Sequence, residues 1–228
     1  MPDKAQKIKF EEMLPAELSA VIRGASVACL PVGSMEWHGP HMSMGMDTIH
    51  AYAVACGIAE KLHGAVLPPL YIGTECQRTP ETLKKIGFRG SESVIGMDFP
   101  NNSIRSMYWP EDLFRAIIRQ QALFLCGMGF RTVAIINGHG ADNQMEALYD
   151  IAANLSAETG SKVVSLFIMS DGCGVKIGHA GLAETAVMQA LAPDGVDLNA
   201  LPAKPRKLKN VDYAIVDNET FRDRKSVV

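Results

Sequence analysis

The sequence predicts an α/β fold in which helices cover both faces of a mainly parallel central sheet. Four short apolar runs, at residues 25–33, 65–73, 132–138 and 162–170, have the composition of strands buried on both faces. They alternate with segments in which apolar residues recur at helical spacing. Strands and helices that alternate with short connections are typical of a parallel sheet between two layers of helices. We therefore expect a three-layer α/β/α sandwich.

The predicted helices follow the strands in order. Asp47 begins the helix after the first strand, and Gly64 is suited to end it. Proline is favoured in the first turn of a helix, so a second helix is predicted from Pro110. Two more helices, at 143–158 and 180–192, follow the third and fourth strands.

Residues 74–109 do not fit this alternation. The segment contains several prolines, glycines and asparagines and has little periodicity. Long connections in compact domains are usually functional or disordered. Its aromatic residues, which include Phe88, Phe99 and Tyr108, favour an ordered flap. No internal repeat or second-domain boundary is found, so a single domain is predicted over residues 1–228.

The net charge, the cysteines and the lengths of the apolar runs exclude several classes of protein. The net charge is −3 and the pI about 6.1, so no basic surface for nucleic acid is expected. Five widely spaced cysteines without a CxxC pair indicate reduced thiols and a cytoplasmic location. The N-terminal residues lack the apolar stretch of a signal peptide, and no apolar run reaches the roughly 18 residues of a transmembrane helix. No membrane association is therefore predicted.

The first strand leads into a segment rich in possible metal ligands, PVGSMEWHGPHMSMGMD. Glu36 and His38 are two residues apart, so in an extended chain their side chains leave on the same side. Asp47 lies where the next helix begins. Carboxylates and imidazole are ligands that Zn²⁺ or Mn²⁺ accepts, although an isolated Glu-x-His pair is also common in polar loops.

Two further polar clusters follow later strands. His139 lies between two glycines in INGHGADN, where the chain can turn tightly, and His179 and Glu184 follow the fourth strand in GHAGLAET. Taken singly, His139 could be a turn residue and Glu184 could stabilise a helix N-terminus. All three clusters, however, follow the carboxyl ends of strands, which converge on one crevice in an open parallel sheet. The sequence therefore predicts a divalent metal site at this edge.

The three clusters resemble the motifs of the creatininase (creatinine amidohydrolase) family. The family pattern is LPxGSxExHGPHxPxGxD, then NGHGGN, then HAGxxET. The chain has LPVGSMEWHGPHMSMGMD, NGHGAD and HAGLAET between about residues 30 and 190. The resemblance implies an α/β/α sandwich, two divalent ions per chain (Zn, Mn or Fe) and a homohexamer built from dimers.

The resemblance also assigns metal ligands by position. Glu36 and His139 correspond to ligands of the first ion, and His38 corresponds to a ligand of the second. Asp47 corresponds to the carboxylate that bridges both ions. The family's glutamate two positions after the motif histidine is Ala141 here, so one position of the second site is left unfilled.

Glu184 is the candidate that fills this position, and Asp142 is the next candidate. His179 corresponds to the family's histidine for proton transfer or substrate binding. Glu184 could share the proton transfer if it is not itself a ligand.

These assignments predict a metal-dependent hydrolase. Two ions bridged by Asp47 would lower the pKa of a water held between them, and the resulting hydroxide would attack a carbonyl carbon. The substrate would be a small polar cyclic carbonyl compound. It would open at a C–N bond, as in a creatinine-like cyclic amide, or at a C–C bond, as in an oxidised inositol such as 3-dehydro-scyllo-inosose. Unless the flap contacts a neighbouring subunit, five of its residues are predicted to bind this small molecule: Arg78, Asn101, Asn102, Arg105 and Trp109.

Other functions are alternatives at this point. A peptidase that trims a modified peptide would need an open groove, and a non-catalytic metal-binding assembly protein would keep the fold without turnover. A nucleotide-binding α/β protein is disfavoured, because neither GxxxxGK[ST] nor GxGxxG follows the first strand.

Overall fold

The computed structural model describes residues 7–100, 102–169, 178–201 and 203. Within these residues the strands are β1 (Val27–Gly33), β2 (Ala65–Val66), β3 (Leu70–Tyr71), β4 (Thr132–Asn137) and β5 (Lys162–Phe167). The α-helices are α1 (Pro15–Arg23), α2 (Met46–Leu62), α3 (Pro80–Lys85), α4 (Glu111–Gly127), α5 (Asp142–Thr159) and α6 (Leu182–Leu191). Short 3₁₀ turns lie at Phe10–Glu12, Pro193–Gly195 and Leu198–Ala200.

The sheet is parallel throughout these named strands, with the order β2-β1-β4-β5. β3 also pairs with β1, beyond the point where β2 stops. The strand predicted over 65–73 is therefore two short pieces. Pro68 and Pro69 lie between them and have no N–H to donate to a ladder, which interrupts the pairing.

Helices cover both faces of the sheet, as predicted. Ala28, Leu30 and Val32 of β1 point to one face, where they join a core with residues of α4 and α5. Cys29 points to the other face and packs with three alanines of α2. β1 is buried on both faces, which explains its continuous apolar sequence. The three-layer α/β/α sandwich is confirmed.

The predicted flap, 74–109, contains a short helix and a small core of its own. Thr79 caps α3 by accepting a hydrogen bond from Thr82 N at 3.2 Å, and Pro80 occupies the first turn. This core is a cluster of Leu83, Val94, Met97 and Phe99 around Trp37. The flap is thus anchored to the residue between Glu36 and His38.

Two helices were absent from the predictions, α1 and α3, and the last helix begins two residues later than predicted. α1 packs Leu18, Val21 and Ile22 against the core at helical spacing, but its nine residues are too short a window for this pattern to predict a helix clearly. The described helices include none that is both long and apolar enough to cross a membrane.

Candidate metal centre

Asp47 reaches the carboxyl edge of the sheet because the start of α2 lies against two glycines. A β-carbon on Gly33 at the end of β1 would lie 2.6 Å from Thr48 N. A β-carbon on Gly138 after β4 would lie 2.7 Å from the Asp47 carbonyl carbon. Neither contact is tolerable for a real side chain, so glycine at both positions lets the helix start approach the strands. The buried Asp47 carboxylate is thereby fixed between β1 and β4.

Glu36 and His38 lie on the loop after β1. Glu36 N donates to Met44 O at 2.9 Å, which fixes the loop. His38 Nδ1 lies 3.0 Å from the backbone oxygen of Glu36, which can only accept, so Nδ1 carries the proton. His38 Nε2 then faces Asp47 Oδ1 at 3.1 Å. A backbone bond at one ring nitrogen that directs the other is the usual arrangement of a metal-binding histidine.

His139 is held from β4 by its neighbour Asn137. The Asn137 amide donates to His139 O at 2.8 Å and accepts from His139 N at 3.0 Å. His139 Nδ1 then lies 3.0 Å from Asp47 Oδ2 and 3.2 Å from Glu36 Oε2. The loop after β4 therefore brings an imidazole between two buried carboxylates.

His179 and Glu184 reach the same cluster from the start of α6 and the residues just before it. Glu184 lies in the first turn of α6, and its Oε2 lies 3.8 Å from His38 Nε2. The same oxygen accepts from Ala180 N at 2.6 Å, so Glu184 also acts at its helix N-terminus. His179 Nε2 donates to the backbone oxygen of Trp37 at 2.6 Å, which leaves Nδ1 3.7 Å from Glu36 Oε2.

These side chains form overlapping groups whose ligand atoms lie within 4.8 Å of one another. One group is Glu36, Asp47 and His139, and another is His38, Asp47 and Glu184. Asp47 belongs to both. A third group contains His179, Glu36 and His38 and does not include Asp47.

Asp142 does not join any of these groups. It is exposed at the start of α5, whereas Ala141 before it is buried and offers no ligand atom. Of the two candidates for the unfilled position, the structure brings only Glu184 into the cluster.

Charges in the cluster are closely balanced. Burial opposes ionisation of Glu36, but His139 and His179 outweigh it and lower its pKa to about 2. Burial also disfavours charge on His38, but Asp47 and Glu184 outweigh it and raise its pKa to about 10. The pKa of His139 is raised well above its usual value, because Glu36 and Asp47 outweigh burial. Protons on two histidines thus compensate the carboxylates, and divalent ions would replace these protons.

The pKa values of Glu184 and His179 shift toward the neutral form instead. Burial raises the pKa of Glu184 to about 7, with His38 opposing the shift. Burial and the neighbouring His38 lower the pKa of His179 to about 4, so its imidazole is neutral at physiological pH. A neutral, buried imidazole can bind an ion or accept a proton.

The donor set fits divalent cations of the zinc or manganese type. Nitrogen and carboxylate oxygen ligands at one buried site are the set these ions accept, and a shared carboxylate suits two adjacent ions.

The sequence matches the family model for creatinine amidohydrolase (Creatininase) over residues 11–226. The chain belongs to the creatininase family. The resemblance predicted from the three motifs is therefore confirmed.

Two relatives of different named activities match this chain. Creatinine amidohydrolase of Pseudomonas putida is 28% identical over 207 residues, which cover 81% of this chain and 72% of that protein. The mycofactocin precursor peptide peptidase of Mycobacterium ulcerans (strain Agy99) is 28% identical over 179 residues, or 76% of this chain. The match covers 62% of the peptidase, which is less than two thirds of its length.

Solved creatininase structures share the fold. The crystal structure of creatinine amidohydrolase has a TM-score of 0.65 at 26% identity and covers 92% of this chain and 83% of its own. A manganese form of creatininase has a TM-score of 0.64 at 26% identity, with 90% and 83% coverage. A creatininase variant complexed with creatine gives the same four values.

The predicted substrate residues of this creatininase-family chain do not form one group in the structure. Arg78 is buried in the flap, where its Nε donates to Gly96 O at 2.8 Å and its guanidinium pairs with Glu75. Arg105 is exposed, and Trp109 packs against the core around α4 rather than against the metal cluster.

The two asparagines of that set differ in what can be described. Asn102 donates to Met97 O at 2.6 Å and supports a turn of the flap. Asn101 lies outside the described residues.

Two side chains that donate hydrogen bonds to carboxylates of the cluster were absent from the predicted site. Ser34 donates to Asp47 Oδ2 at 2.5 Å and lies 3.2 Å from His139 Nδ1. The Tyr108 hydroxyl donates to Glu36 Oε1. Ser34 lies within the first motif, so its position beside Glu36 could have indicated a role, whereas no motif includes Tyr108.

Proposed function

We propose that this chain is a hydrolase that uses two divalent metal ions to open a small polar cyclic amide at its C–N bond. The observation that carries the proposal is the pair of ligand groups that share Asp47. The first ion would be held by Glu36, His139 and Asp47, and the second by His38, Glu184 and Asp47. Two ions held by a shared carboxylate are typical of metal-assisted hydrolysis.

The ions, when bound, supply Lewis acidity toward a carbonyl oxygen and lower the pKa of water. The protein supplies orientation and proton transfer. His38 is directed by its bond to the Glu36 backbone, and Asp47 is directed by Ser34. Both bonds restrict the ligands before substrate arrives, which is the usual role of such supporting contacts.

His179 is the proposed proton carrier. Its Nε2 proton is committed to the backbone oxygen of Trp37, and its pKa of about 4 keeps the ring neutral. Nδ1 therefore has a free lone pair beside Glu36 and can take a proton and return it to the leaving nitrogen. Since His179 also belongs to one ligand group, ion binding at Nδ1 is the alternative role.

We infer the substrate class from the relatives. The Pseudomonas putida relative is a creatinine amidohydrolase, and a related creatininase structure contains creatine. The flap is anchored to Trp37 and brings the Tyr108 hydroxyl to Glu36. The C–C cleavage of an oxidised inositol, the homohexamer and the cytoplasmic location stay predictions from sequence.

A peptidase is the second candidate, because one relative is a peptidase acting on the mycofactocin precursor peptide. A peptide substrate would be cleaved by the same attack on a carbonyl carbon. It would differ in needing room for chain on both sides of the scissile bond.

The experiment is a substrate screen with protein loaded with Mn²⁺ or Zn²⁺. The panel contains creatinine and other cyclic ureas, lactams, keto-inositols and short peptides, with Asp47→Ala as the inactive control. We expect turnover of a cyclic amide that requires metal and is lost in Asp47→Ala. Turnover of peptides alone would favour the peptidase. Metal-independent turnover, or turnover kept in Asp47→Ala, would contradict the proposal.

A further inference from the structure

Tyr108 connects the flap to Glu36. Its hydroxyl donates to Glu36 Oε1 and at the same time accepts from Met97 N at 3.0 Å. A hydroxyl has one proton to donate, and here it goes to the carboxylate. The backbone on either side of Tyr108 is fixed as well, because Met107 N donates to Met35 O at 2.8 Å and Trp109 N donates to Gly73 O at 2.7 Å.

The two oxygens of Glu36 have different surroundings. Oε1 is engaged by Tyr108, whereas Oε2 lies 3.2 Å from His139 Nδ1 and 3.7 Å from His179 Nδ1. Oε1 accepts from a hydroxyl that keeps its proton, whereas the His139 proton that faces Oε2 is one that a bound ion would replace. Glu36 can therefore offer Oε2 to an ion while Oε1 stays on the flap.

Gly96 leaves the space that the Tyr108 side chain needs to reach Glu36. Gly96 has a φ of +53°, and a β-carbon there would lie 2.6 Å from Tyr108 Cζ and 2.7 Å from Glu75 Cγ. Glycine is thus required at this position both for the left-handed backbone and for the room that the tyrosine ring occupies.

We propose that Tyr108 is a positioning residue that holds Glu36 in a single orientation, so that Oε2 alone faces the first metal site. This inference rests on the proposed function for the existence of that site. It makes the first site, and not the second, sensitive to the flap. Among the described residues, Tyr108 makes no hydrogen bond to the second group of ligands, His38, Asp47 and Glu184.

Single-site backgrounds can separate the two metals. Glu184→Gln keeps only the first site, and His139→Ala keeps only the second. Tyr108→Phe is introduced into each background, and Mn²⁺ affinity is measured by calorimetry on metal-free protein. Loss of a hydrogen bond that orients a ligand typically weakens metal binding by about 10- to 100-fold. We expect that loss in the Glu184→Gln background and less than about a twofold change in the His139→Ala background.

Tyr149→Phe is the matched control, since Tyr149 is exposed on α5 and the same hydroxyl deletion there should leave both affinities unchanged. Gly96→Ala, which crowds the Tyr108 ring, should reproduce the selective loss while keeping the hydroxyl. Equal affinity with and without Tyr108→Phe in both backgrounds, or the same loss in both, would overturn this inference alone. Wild-type protein that binds no Mn²⁺ would overturn the proposed function together with it.

Discussion

The main chain of Asp47 passes so close to Gly138 that a β-carbon on the glycine would lie 2.7 Å from the Asp47 carbonyl carbon. The aspartate common to both ligand groups is therefore positioned by a residue that has no side chain. The glycines on either side of His139 were predicted to let the chain turn tightly. The structure shows that Gly138 also allows a close approach to the backbone of α2.

Gly138→Ala should displace the start of α2 and weaken metal binding at both sites. Overpacking of this kind costs about 1–3 kcal/mol of the free energy of unfolding. Metal content by elemental analysis and thermal denaturation would measure the two effects. Gly57→Ala on the same helix is the control, because a β-carbon there meets nothing within 4 Å. Full metal content in Gly138→Ala would show that the contact does not position Asp47.

Asn102→Ala should lower kcat/KM by on the order of tenfold to a thousandfold while both metals stay bound, because one or two polar contacts of the flap are lost. The Asn102 side chain supports Met97 O, and Met97 N in turn donates to Tyr108. Steady-state kinetics and elemental analysis on the same preparation would test this.

Arg105→Ala tests the same segment at a side chain that is exposed in the structure. It should change kcat/KM only if the flap turns this side chain toward bound substrate. Should both variants keep metal, lose their oligomeric state and turn over normally per intact site, the flap would be a subunit contact and not a specificity element.

The buried thiol of Cys29 should make the free energy of unfolding fall at alkaline pH. Burial raises the pKa of its thiol to about 12, from an ordinary value near 9. The folded state therefore holds this proton where the unfolded chain has lost it. The stabilisation is complete below about pH 9 and is lost as the pH rises from 9 toward 12, by at most about 1.4 kcal/mol per pH unit.

Urea denaturation of wild type and Cys29→Ala at several alkaline pH values would check this contribution. The wild-type curve should fall more steeply with pH, whatever the difference in absolute stability between the two proteins. Cys76→Ala, which removes an exposed thiol, should keep the wild-type slope. Parallel slopes for wild type and Cys29→Ala would contradict the prediction.

The α/β/α sandwich and most of the residues that meet at its carboxyl edge could be predicted from the sequence. The first two motifs follow the buried strands β1 and β4, and the third follows β5, an edge strand in which only Val163 is buried. Parallel strands bring their carboxyl ends together, so all three motifs meet at one edge. The approach of Glu184 to His38 is different, because α6 is distant in sequence and its packing on α2 cannot be read from spacing. The position of Glu184 after the fourth strand predicted only that it lies at this edge, and the resemblance to the creatininase family suggested it as the ligand of the second ion.

The flap was the least predictable part. Its core forms around Trp37, a residue outside the segment, so the segment itself shows little periodicity. Trp109 was predicted near the site, but its neighbour Tyr108 contacts Glu36 while Trp109 packs on the core. Adjacent residues of an extended chain point to opposite sides, so an error of one position changes which aromatic ring faces the metal cluster.

The shared-aspartate site is tested by counting the divalent ions bound per chain in four proteins, by elemental analysis after Mn²⁺ or Zn²⁺ loading. We expect two ions in wild type, one in His139→Ala, one in Glu184→Gln, and none in Asp47→Ala, because only Asp47 belongs to both ligand groups. Asp142→Asn, which changes an exposed acid beside the same motif, should keep two ions. Two ions retained in Glu184→Gln, or one retained in Asp47→Ala, would contradict the shared-aspartate site.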